Sequence, residues 1–345
     1  MDIEKLSNSN KDEWNNFCLN SNDAWFRHTT YWMDYILSCR FDSDSKNHSF
    51  LVRQNREIVA IVPLISQYNM INREIQEFRN YDTPTPCYAF KNETDIDKDK
   101  IIKIIHAEIG KISNEYRVGK RSFFIDPLIV NNWFNDFKSY NFLRYGYNSK
   151  LTTTNILDLT DSEEEAFSRL RSRYKSYIKK ELKDIDLRFD YIDSSCRDVY
   201  EKLMDFKKIH AIDAGRQTRT DASWECQLKW LSGGYASLVL SWSKSLNKYI
   251  SGVFILIYKH NAYYGAYATI DSTRNNGFIG HLTQWNAIKY LISKGIKKYE
   301  TGWNYYKSSF DEHGYNEKLI NISKFKRGFG GREIPLIEFS LSSSK

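Results

Sequence analysis

The feature that most constrains the fold is a strand that runs into a glycine-containing loop, then a helix and a second strand. The tyrosine-rich segment 261–271 leads into the loop 272–280, and the helix predicted over 281–294 is followed by the strand 297–303. A glycine loop at a helix N-terminus offers free backbone N–H groups at the positive end of the helix dipole. We therefore predict an anion site there, although the glycines could also serve only the turn. The candidate residues are Arg274, Gly277, Phe278 and Gly280.

The composition is that of a globular chain with room for two domains. The 345 residues include 24 Tyr, 20 Phe and 9 Trp, which favours a large amphipathic ligand. The five cysteines are scattered and odd in number, which argues against a disulfide framework or a zinc site, and we expect no metal. The net charge of +7 is compatible with simple solubility or with an anionic partner.

The start of the chain is polar, and no apolar run reaches the ~20 residues that span a bilayer. We expect a cytoplasmic protein without a transmembrane segment, for which peripheral membrane contact stays open.

The two halves of the chain repeat one order of elements. Each half has a helix, an antiparallel meander and a helix that crosses to another strand, which predicts a mixed α/β fold. Between them an acidic start and a basic end suit one amphipathic helix. The predicted division is an N-terminal unit over 1–160, a basic junction helix over 161–185 and a C-terminal unit over 186–345.

This element order resembles that of the GNAT acyltransferases, repeated in tandem. The closing motif Phe325-Lys-Arg-Gly-Phe-Gly-Gly331, the strand 297–303 and the basic segment 169–180 are similar to those of the FemAB-type aminoacyltransferases. No stretch of heptads for a coiled-coil hairpin is visible, so the chain resembles the smaller members of that family. The resemblance implies two tandem GNAT-like units and an acyltransferase activity.

The sequence of the glycine loop does not decide which acyl donor the protein would use. The GNAT signature for a pyrophosphate has Arg or Gln, two residues, Gly, one residue, then Gly or Ala, whereas Gly280 comes one residue late after Arg274 and Gly277. The resemblance is compatible with acyl-coenzyme A or with aminoacyl-tRNA as a dissociable donor. It implies no permanently bound cofactor.

Lys326 is the candidate catalytic residue. In the resembled enzymes the lysine of the Phe-Lys pair is thought to stabilise the oxyanion of the tetrahedral intermediate, and its neighbour Phe325 is a candidate for substrate binding. A fixed cation would lower that barrier by about 3–4 kcal/mol if it acts like other oxyanion donors. A surface lysine in a basic loop is the alternative.

Further substrate-binding candidates come from the junction and from the tyrosine-rich strand. Arg169, Arg173 and Tyr177 would share one helix face, which could bind a phosphate backbone or be simply solvated. Strand alternation puts Tyr263 and Tyr267 on one side and Tyr264 on the other, where Tyr264 could line an acceptor groove or pack in the core.

The general base is not assigned. His210, His281 and Asp213 are conceivable, but each is more often structural in such a position, and no Ser-His-Asp order is visible.

The expected function is transfer of an aminoacyl or acyl group to an amine of a cell-envelope precursor. The partners would be the donor and an amino sugar, a nucleotide sugar or a peptidoglycan stem peptide. The rival interpretations are a basic nucleic-acid-binding protein and a degenerate acyltransferase kept as a binding module. No RNP-type motif, KH loop or zinc spacing supports nucleic-acid binding.

Overall fold

A computed structural model of the chain describes residues 1–39, 41, 45–68, 76–81, 83–92, 96–129, 142–181, 186–270, 279–307 and 316–342. The chain divides into unit 1, Met1–Thr152 with Leu336–Lys345, and unit 2, Thr153–Pro335. These boundaries differ from those expected from the sequence. The junction segment belongs to unit 2, and the segment from Leu336 onward belongs to unit 1.

Within the described residues, unit 1 contains three α-helices and most of the shorter strands. Its helices are α1 (Lys11–Asn20), α2 (Thr30–Ser38) and α3 (Lys98–Glu115). Its strands are β1 (Asp2–Lys5), β2 (Lys46–Asn47), β3 (Phe50–Gln54), β4 (Glu57–Val62), β5 (Ile65–Tyr68), β6 (Gln76–Asn80), β7 (Thr83–Pro86), β8 (Ala89–Phe90) and β9 (Val118–Phe124).

Unit 2 contains the longer strands. Its helices are α4 (Glu163–Ser168), α5 (Ser172–Glu181), α6 (Val199–Ala214), α7 (Asp221–Ser232), α8 (Ile279–Ser293) and α9 (Glu317–Arg327). Its strands are β11 (Leu187–Ile192), β12 (Ala236–Ser243), β13 (Lys248–Tyr258), β14 (Asn261–Thr269) and β15 (Lys298–Trp303). The strands β10 (Asn148–Asp158) and β16 (Arg332–Ser342) run through the division between the units.

Unit 1 has two sheets. One has the order β1-β3-β4-β8, and in the other β9, β7, β6, β5 and β2 follow one another. The segment 338–342 of β16 pairs antiparallel with β9. Helix α3 buries Ile101, Ile105 and Ile109, whose spacing in the sequence predicts an amphipathic helix near residues 97–116.

The prolines of the segment 81–87 in unit 1 predict an extended loop. The structure has instead the strand β7, whose Thr85 and Pro86 pair in parallel with Phe123 and Phe124 of β9. A proline lacks the N–H donor but its fixed φ suits extended backbone, so a short strand tolerates it. The sequence also predicts a short aromatic helix around Trp133, which lies outside the described residues.

Unit 2 is built on a sheet with the order β11-β12-β13-β14-β15-β10. The strands β11 to β14 form an antiparallel meander, and β14 is parallel to β15. Helix α8 connects β14 to β15 and buries Leu282, Trp285 and Ile288 in the main apolar cluster of this unit. Helix α8 is therefore the next described element after β14, in the place where the sequence predicts a helix after the glycine loop.

The single junction helix expected over 161–185 is wrong, because the structure has the two helices α4 and α5. Arg169 ends α4, and the backbone N–H of Arg171 donates to the carbonyl oxygen of Gly328 at 3.0 Å. A Cβ atom at Gly330 would lie 3.2 Å from the carbonyl oxygen of Arg169. The break therefore lets this backbone pack closely against the glycines that follow α9.

Candidate functional site

The candidate site begins where β14 and β15 part. Their parallel register joins Asn261 to Lys298, Ala262 to Tyr299 and Tyr263 to Glu300, and it continues no further within the described residues. Two diverging parallel strands leave a gap between their carboxyl ends, where an extended ligand could reach backbone groups. The residues next along each strand are Tyr264 and Thr301, and Gly302 follows Thr301, so Tyr264 and Gly302 lie at the start of this gap.

Lys326 from the last turn of α9 reaches the same place. Its Nζ atom lies over the Tyr264 ring, 4.7 Å from the ring centroid. A Cβ atom at Gly302, whose φ is +99°, would lie 3.0 Å from Nζ, so only glycine gives the ammonium this room. No hydrogen bond or ion pair reaches Nζ in the part of the chain that the structure describes. The cation thus lies on an aromatic face and beside backbone, with its donors available.

The ammonium of Lys326 is in a low-dielectric environment. The residue as a whole is half-buried, but its charged end is enclosed, and this burial lowers the pKa of Lys326 to about 8. The charge of Glu300 acts in the opposite direction and raises it. Burial also raises the pKa of Tyr264 well above its usual value, so its hydroxyl stays neutral.

Glu300 is a fully buried acid on β15 and was not singled out from the sequence. Its Oε1 accepts a hydrogen bond of 2.8 Å from Thr154 Oγ1 on β10. The signal that could have found it is an acid in the middle of an otherwise buried strand, two residues before a glycine, because a buried acid needs a partner.

The predicted alternation of the tyrosines along β14 is wrong. Tyr264 pairs with Ile255 and Ala266 pairs with Phe254, so Gly265 is an extra residue that forms a bulge. As a result Tyr264 and Tyr267 both pack against the same apolar cluster of unit 2. The bulge brings the Tyr264 ring to the Lys326 ammonium while its neighbour Tyr267 contacts α8.

The first turn of α8 is enclosed by aromatic side chains. The ring of His281 lies 4.3 Å from that of Tyr174, 5.2 Å from that of Tyr177 and 5.1 Å from that of Phe325. Burial lowers the pKa of His281 to about 4, so the ring is neutral near pH 7. A Cβ atom at Gly280 would lie 2.8 Å from the Tyr267 hydroxyl, so this glycine permits close packing at the helix start.

The basic candidate residues of the junction segment make different contacts. Arg173 of α5 donates to the Tyr177 hydroxyl and lies over its ring, beside the aromatic group around His281. Arg169 ends α4, forms an ion pair with Asp161 and donates to the carbonyl oxygen of Asp158. Arg169 therefore does not share a helix face with Arg173 and Tyr177, because α4 ends at Ser168 and α5 begins at Ser172.

Within unit 2, Tyr177 and Phe325 contact His281, and Gly280 lies next to Phe325. Lys326, which follows Phe325 in the sequence, contacts Tyr264. Three other candidates for the donor site lie outside the described residues, namely Arg274, Gly277 and Phe278. Among the residues that are described, no group of three or more His, Cys, Asp or Glu side chains could hold a metal ion.

Comparison with solved structures identifies the fold. FemX superposes with a TM-score of 0.68 at 13% identity, covering 99% of this chain and 98% of FemX. A tandem GNAT protein from the clavulanic acid biosynthesis pathway superposes with a TM-score of 0.56 at 10% identity, covering 100% and 99%. The chain has the fold of FemX. It consists of two tandem GNAT-like units in a mixed α/β architecture, as the sequence indicates.

A third similar structure is the C-terminal domain of a putative lysylphosphatidylglycerol synthetase from Agrobacterium fabrum. It superposes with a TM-score of 0.62 at 10% identity, and 97% of this chain and 92% of that domain are covered. No family model matches the sequence. No curated protein matches it either. In the described part of the chain, no helix is long and apolar enough to cross a membrane.

Proposed function

We propose that the protein is an N-acyltransferase that moves an aminoacyl or acyl group onto an amine of a cell-envelope precursor. The observation that carries this proposal is the Lys326 ammonium, enclosed and without a hydrogen-bond partner in the described residues, at the point where β14 and β15 part. Similarity in fold to FemX and to a tandem GNAT protein supports the same class of reaction.

A cation at that point would serve the chemistry of acyl transfer. The amine nitrogen attacks the carbonyl carbon of the donor ester or thioester, and the C–N bond forms while the carbonyl electrons move to oxygen. The tetrahedral intermediate then expels an alcohol or thiol, which takes up the proton that the amine releases through water. Lys326 would stabilise the oxyanion as an ammonium ion and keep its own protons, a contribution of about 3–4 kcal/mol.

The donor would bind at the start of α8. Gly280 lies in its first turn, and Tyr177, Arg173 and Phe325 lie around or beside His281 there. A phosphate-bearing donor would meet the helix dipole and a cation at this end. Arg274, Gly277 and Phe278 belong to this proposed site on the sequence argument.

Both donor classes are compatible with the similar structures. One is by name a lysylphosphatidylglycerol synthetase, which makes an aminoacylated product, and another is a GNAT protein described without its acetyl-coenzyme A. We therefore propose acyl-coenzyme A or aminoacyl-tRNA as a dissociable donor and the cytoplasm as the site of reaction. The acceptor would be an amino sugar, a nucleotide sugar or a peptidoglycan stem peptide, with Tyr264 beside the reacting carbonyl.

The experiment compares Lys326→Met with Lys324→Met in an assay for amide formation from either donor. Lys324 lies on the same helix, α9, but is exposed, so its replacement controls for loss of charge on the helix. We expect Lys326→Met to lower turnover by roughly 10²–10³-fold and Lys324→Met to leave it unchanged.

Unchanged turnover in a folded Lys326→Met variant would remove this lysine from the mechanism. Binding to generic RNA, with no amide product from any donor and acceptor pair, would instead favour the nucleic-acid-binding interpretation.

A further inference from the structure

An open pocket in unit 1 has no role in the reaction proposed above. Its volume is about 470 Å³, a size at which proteins bind small molecules. One face of α1 contributes Glu13, Asn16, Phe17 and Asn20 to the lining, at the spacing that puts helix residues side by side. The other lining residues come mainly from the hairpin of β3 and β4 and from the segment after β8.

The lining has an apolar part and a set of amides. Phe17 is almost fully buried and Ile58 of β4 is half-buried. The side-chain amide of Asn20 donates to the carbonyl oxygen of Asn16, and the carbonyl oxygen of Asn20 accepts from the side chain of Asn92 at 2.6 Å. These bonds leave the amide nitrogen of Asn16 and the amide oxygen of Asn20 without a partner among the described residues. The pocket therefore offers a ligand both a donor and an acceptor.

Four of the five charged side chains in the lining are paired with one another. Arg53 donates to Glu13 at 2.9 Å, and Lys91 donates to Glu57 at 2.8 Å. The fifth is Arg56, and in the part of the chain that the structure describes no hydrogen bond or ion pair reaches its guanidinium. The pocket thus contains one cation whose charge is not compensated.

Each ion pair also leaves one carboxylate oxygen unused. Arg53 and Lys91 contact Oε2 of Glu13 and Oε2 of Glu57, and within the described residues no donor reaches Oε1 of either acid. A phosphate dianion would meet two carboxylates and a single available cation, so it would be repelled. The charges instead favour a ligand that has one carboxylate and one ammonium group.

We propose that this pocket binds a small zwitterion, an amino acid or a short peptide, with its carboxylate on Arg56 and its ammonium on Glu13 or Glu57. The planar guanidinium matches a carboxylate with two parallel hydrogen bonds. An apolar side chain of the ligand would pack on Phe17 and Ile58. The inference goes beyond the proposed function, because none of these residues was assigned to acyl transfer.

The backbone at Arg56 permits a variant that removes the guanidinium without harm to the fold. The two-residue turn between β3 and β4 is Asn55-Arg56, and both residues have a positive φ, 52° and 70°. Such a turn prefers glycine at its second position, so Arg56→Gly should keep or raise the melting temperature. The turn Lys259-His260 between β13 and β14 also has two positive φ values, so His260→Gly is the matched control.

The experiment titrates the ¹⁵N-labelled full chain with L-alanyl-L-leucine and, separately, with L-leucine. The side-chain amide signals of Asn16, Asn20 and Asn92 report binding at this pocket. We expect saturable shifts of these signals, and the ligand with the higher affinity distinguishes a peptide from a free amino acid. Arg56→Gly should weaken binding by about tenfold or more, as expected for loss of a hydrogen bond to a charged group, and His260→Gly should leave it unchanged.

Two analogues of the ligand that binds test the two charges on the parent protein. The C-terminal amide lacks the carboxylate and the N-acetyl form lacks the ammonium, and each should bind about tenfold or more weakly than the zwitterion. Arg56→Gly should bind the amide as well as the parent protein does, because the lost contact is to the carboxylate.

Three results would overturn the inference. They are the absence of saturable shifts at the asparagines with both zwitterions, equal affinity of Arg56→Gly and the parent protein for the zwitterion, and tighter binding of inorganic phosphate than of either zwitterion. The measurement is of binding alone, so the inference and the proposed acyl transfer can fail separately.

Discussion

Gly302 and Lys326 depend on each other. A Cβ atom at position 302 would lie 3.0 Å from Lys326 Nζ. The φ of Gly302 is +99°, a value that glycine adopts readily and that residues with a Cβ atom disfavour. Gly302 of β15 therefore leaves the space that the ammonium of Lys326 on α9 occupies.

We predict that Gly302→Ala lowers turnover by a few-fold to about tenfold, because the added methyl would displace the Lys326 ammonium by a few tenths of an ångström, and a displacement of about 1 Å at a reacting centre can cost as much as 10²-fold. Gly295→Ala is the matched control, since Gly295 also has a positive φ, +68°, but a Cβ atom there would meet nothing. Both variants should lose some stability from backbone strain. Equal turnover in the two variants would show that the space beside Lys326 does not matter.

The donor can be identified by two binding measurements on the intact protein. If the donor is aminoacyl-tRNA, its affinity should fall steeply with salt, because many phosphates are neutralised. If it is acyl-coenzyme A, free coenzyme A should raise the melting temperature, with only a mild effect of salt. Arg173→Ala should weaken whichever donor binds, while failure of both ligands to bind would contradict the proposed donor site.

Replacement of Lys326 should stabilise the fold while it abolishes transfer. The pKa of this lysine falls from 10.5 to about 8 on folding, so the folded state binds its proton less tightly than the unfolded state does. At pH 7 this costs about 1–3 kcal/mol, which Lys326→Met removes. The free energy of unfolding of the parent protein should gain from this group as pH rises from about 8 to 10.5, and Lys326→Met should lack that gain in denaturant titrations.

Turnover should show the opposite dependence on pH. The ammonium form is required for an oxyanion, so activity should fall as pH rises through about 8. A parent enzyme whose turnover stays constant up to pH 10 would contradict a cationic role for Lys326.

Gly328 and Tyr174 form a second close contact, since a Cβ atom at position 328 would overlap the Tyr174 ring. We predict that Gly328→Ala costs about 1–3 kcal/mol of stability and costs less in a Tyr174→Ala background. Gly110→Ala in α3 is the control, because nothing lies within 4 Å of the added methyl, and it should stabilise by about 0.5–1 kcal/mol. Additive costs in urea denaturation would show that ring and methyl do not meet.

The buried ion pair of unit 1 should be among its most sensitive positions. Arg27 Nη1 lies 2.7 Å from Asp126 Oδ2, and both side chains are almost fully buried. Asp126→Asn should destabilise the protein by about 3–5 kcal/mol, because the buried guanidinium of Arg27 loses the charge of a carboxylate in direct contact with it. Asp34→Asn, which breaks the exposed pair with Lys11, should cost less than about 1 kcal/mol. Similar costs for the two variants would contradict this assignment.

Periodic and strongly patterned segments were predictable from the sequence. The isoleucines of α3, the meander from β12 to β14 and the crossover through α8 all follow from apolar spacing, since burial on one face requires it. The motif that contains Lys326 was also visible, but the helix α9 that carries it was not predicted. The enclosure of Lys326 was not predictable either, because it depends on β14 and β15, which are not adjacent to α9 in the sequence.

Three features escaped prediction for identifiable physical reasons. The break between α4 and α5 depends on the hydrogen bond from the backbone of Arg171 to that of Gly328, and no residue near the break in the sequence predicts it. The bulge at Gly265 inverts the side of Tyr264, which strict alternation cannot anticipate. Glu300 cannot be distinguished from the exposed acids in the sequence until its complete burial is known.

The sheet of unit 1 that contains β9 also needs the strand β16, which lies far from the rest of unit 1 in the sequence. Glu338 to Ser342 close the sheet beside β9, more than 200 residues after β9 itself is made. On the ribosome, β9 would therefore wait with one edge unpaired while all of unit 2 is synthesised, and an unpaired edge invites association with other chains. A nascent chain stopped before position 336 should consequently bind holding chaperones more strongly than one stopped after 342.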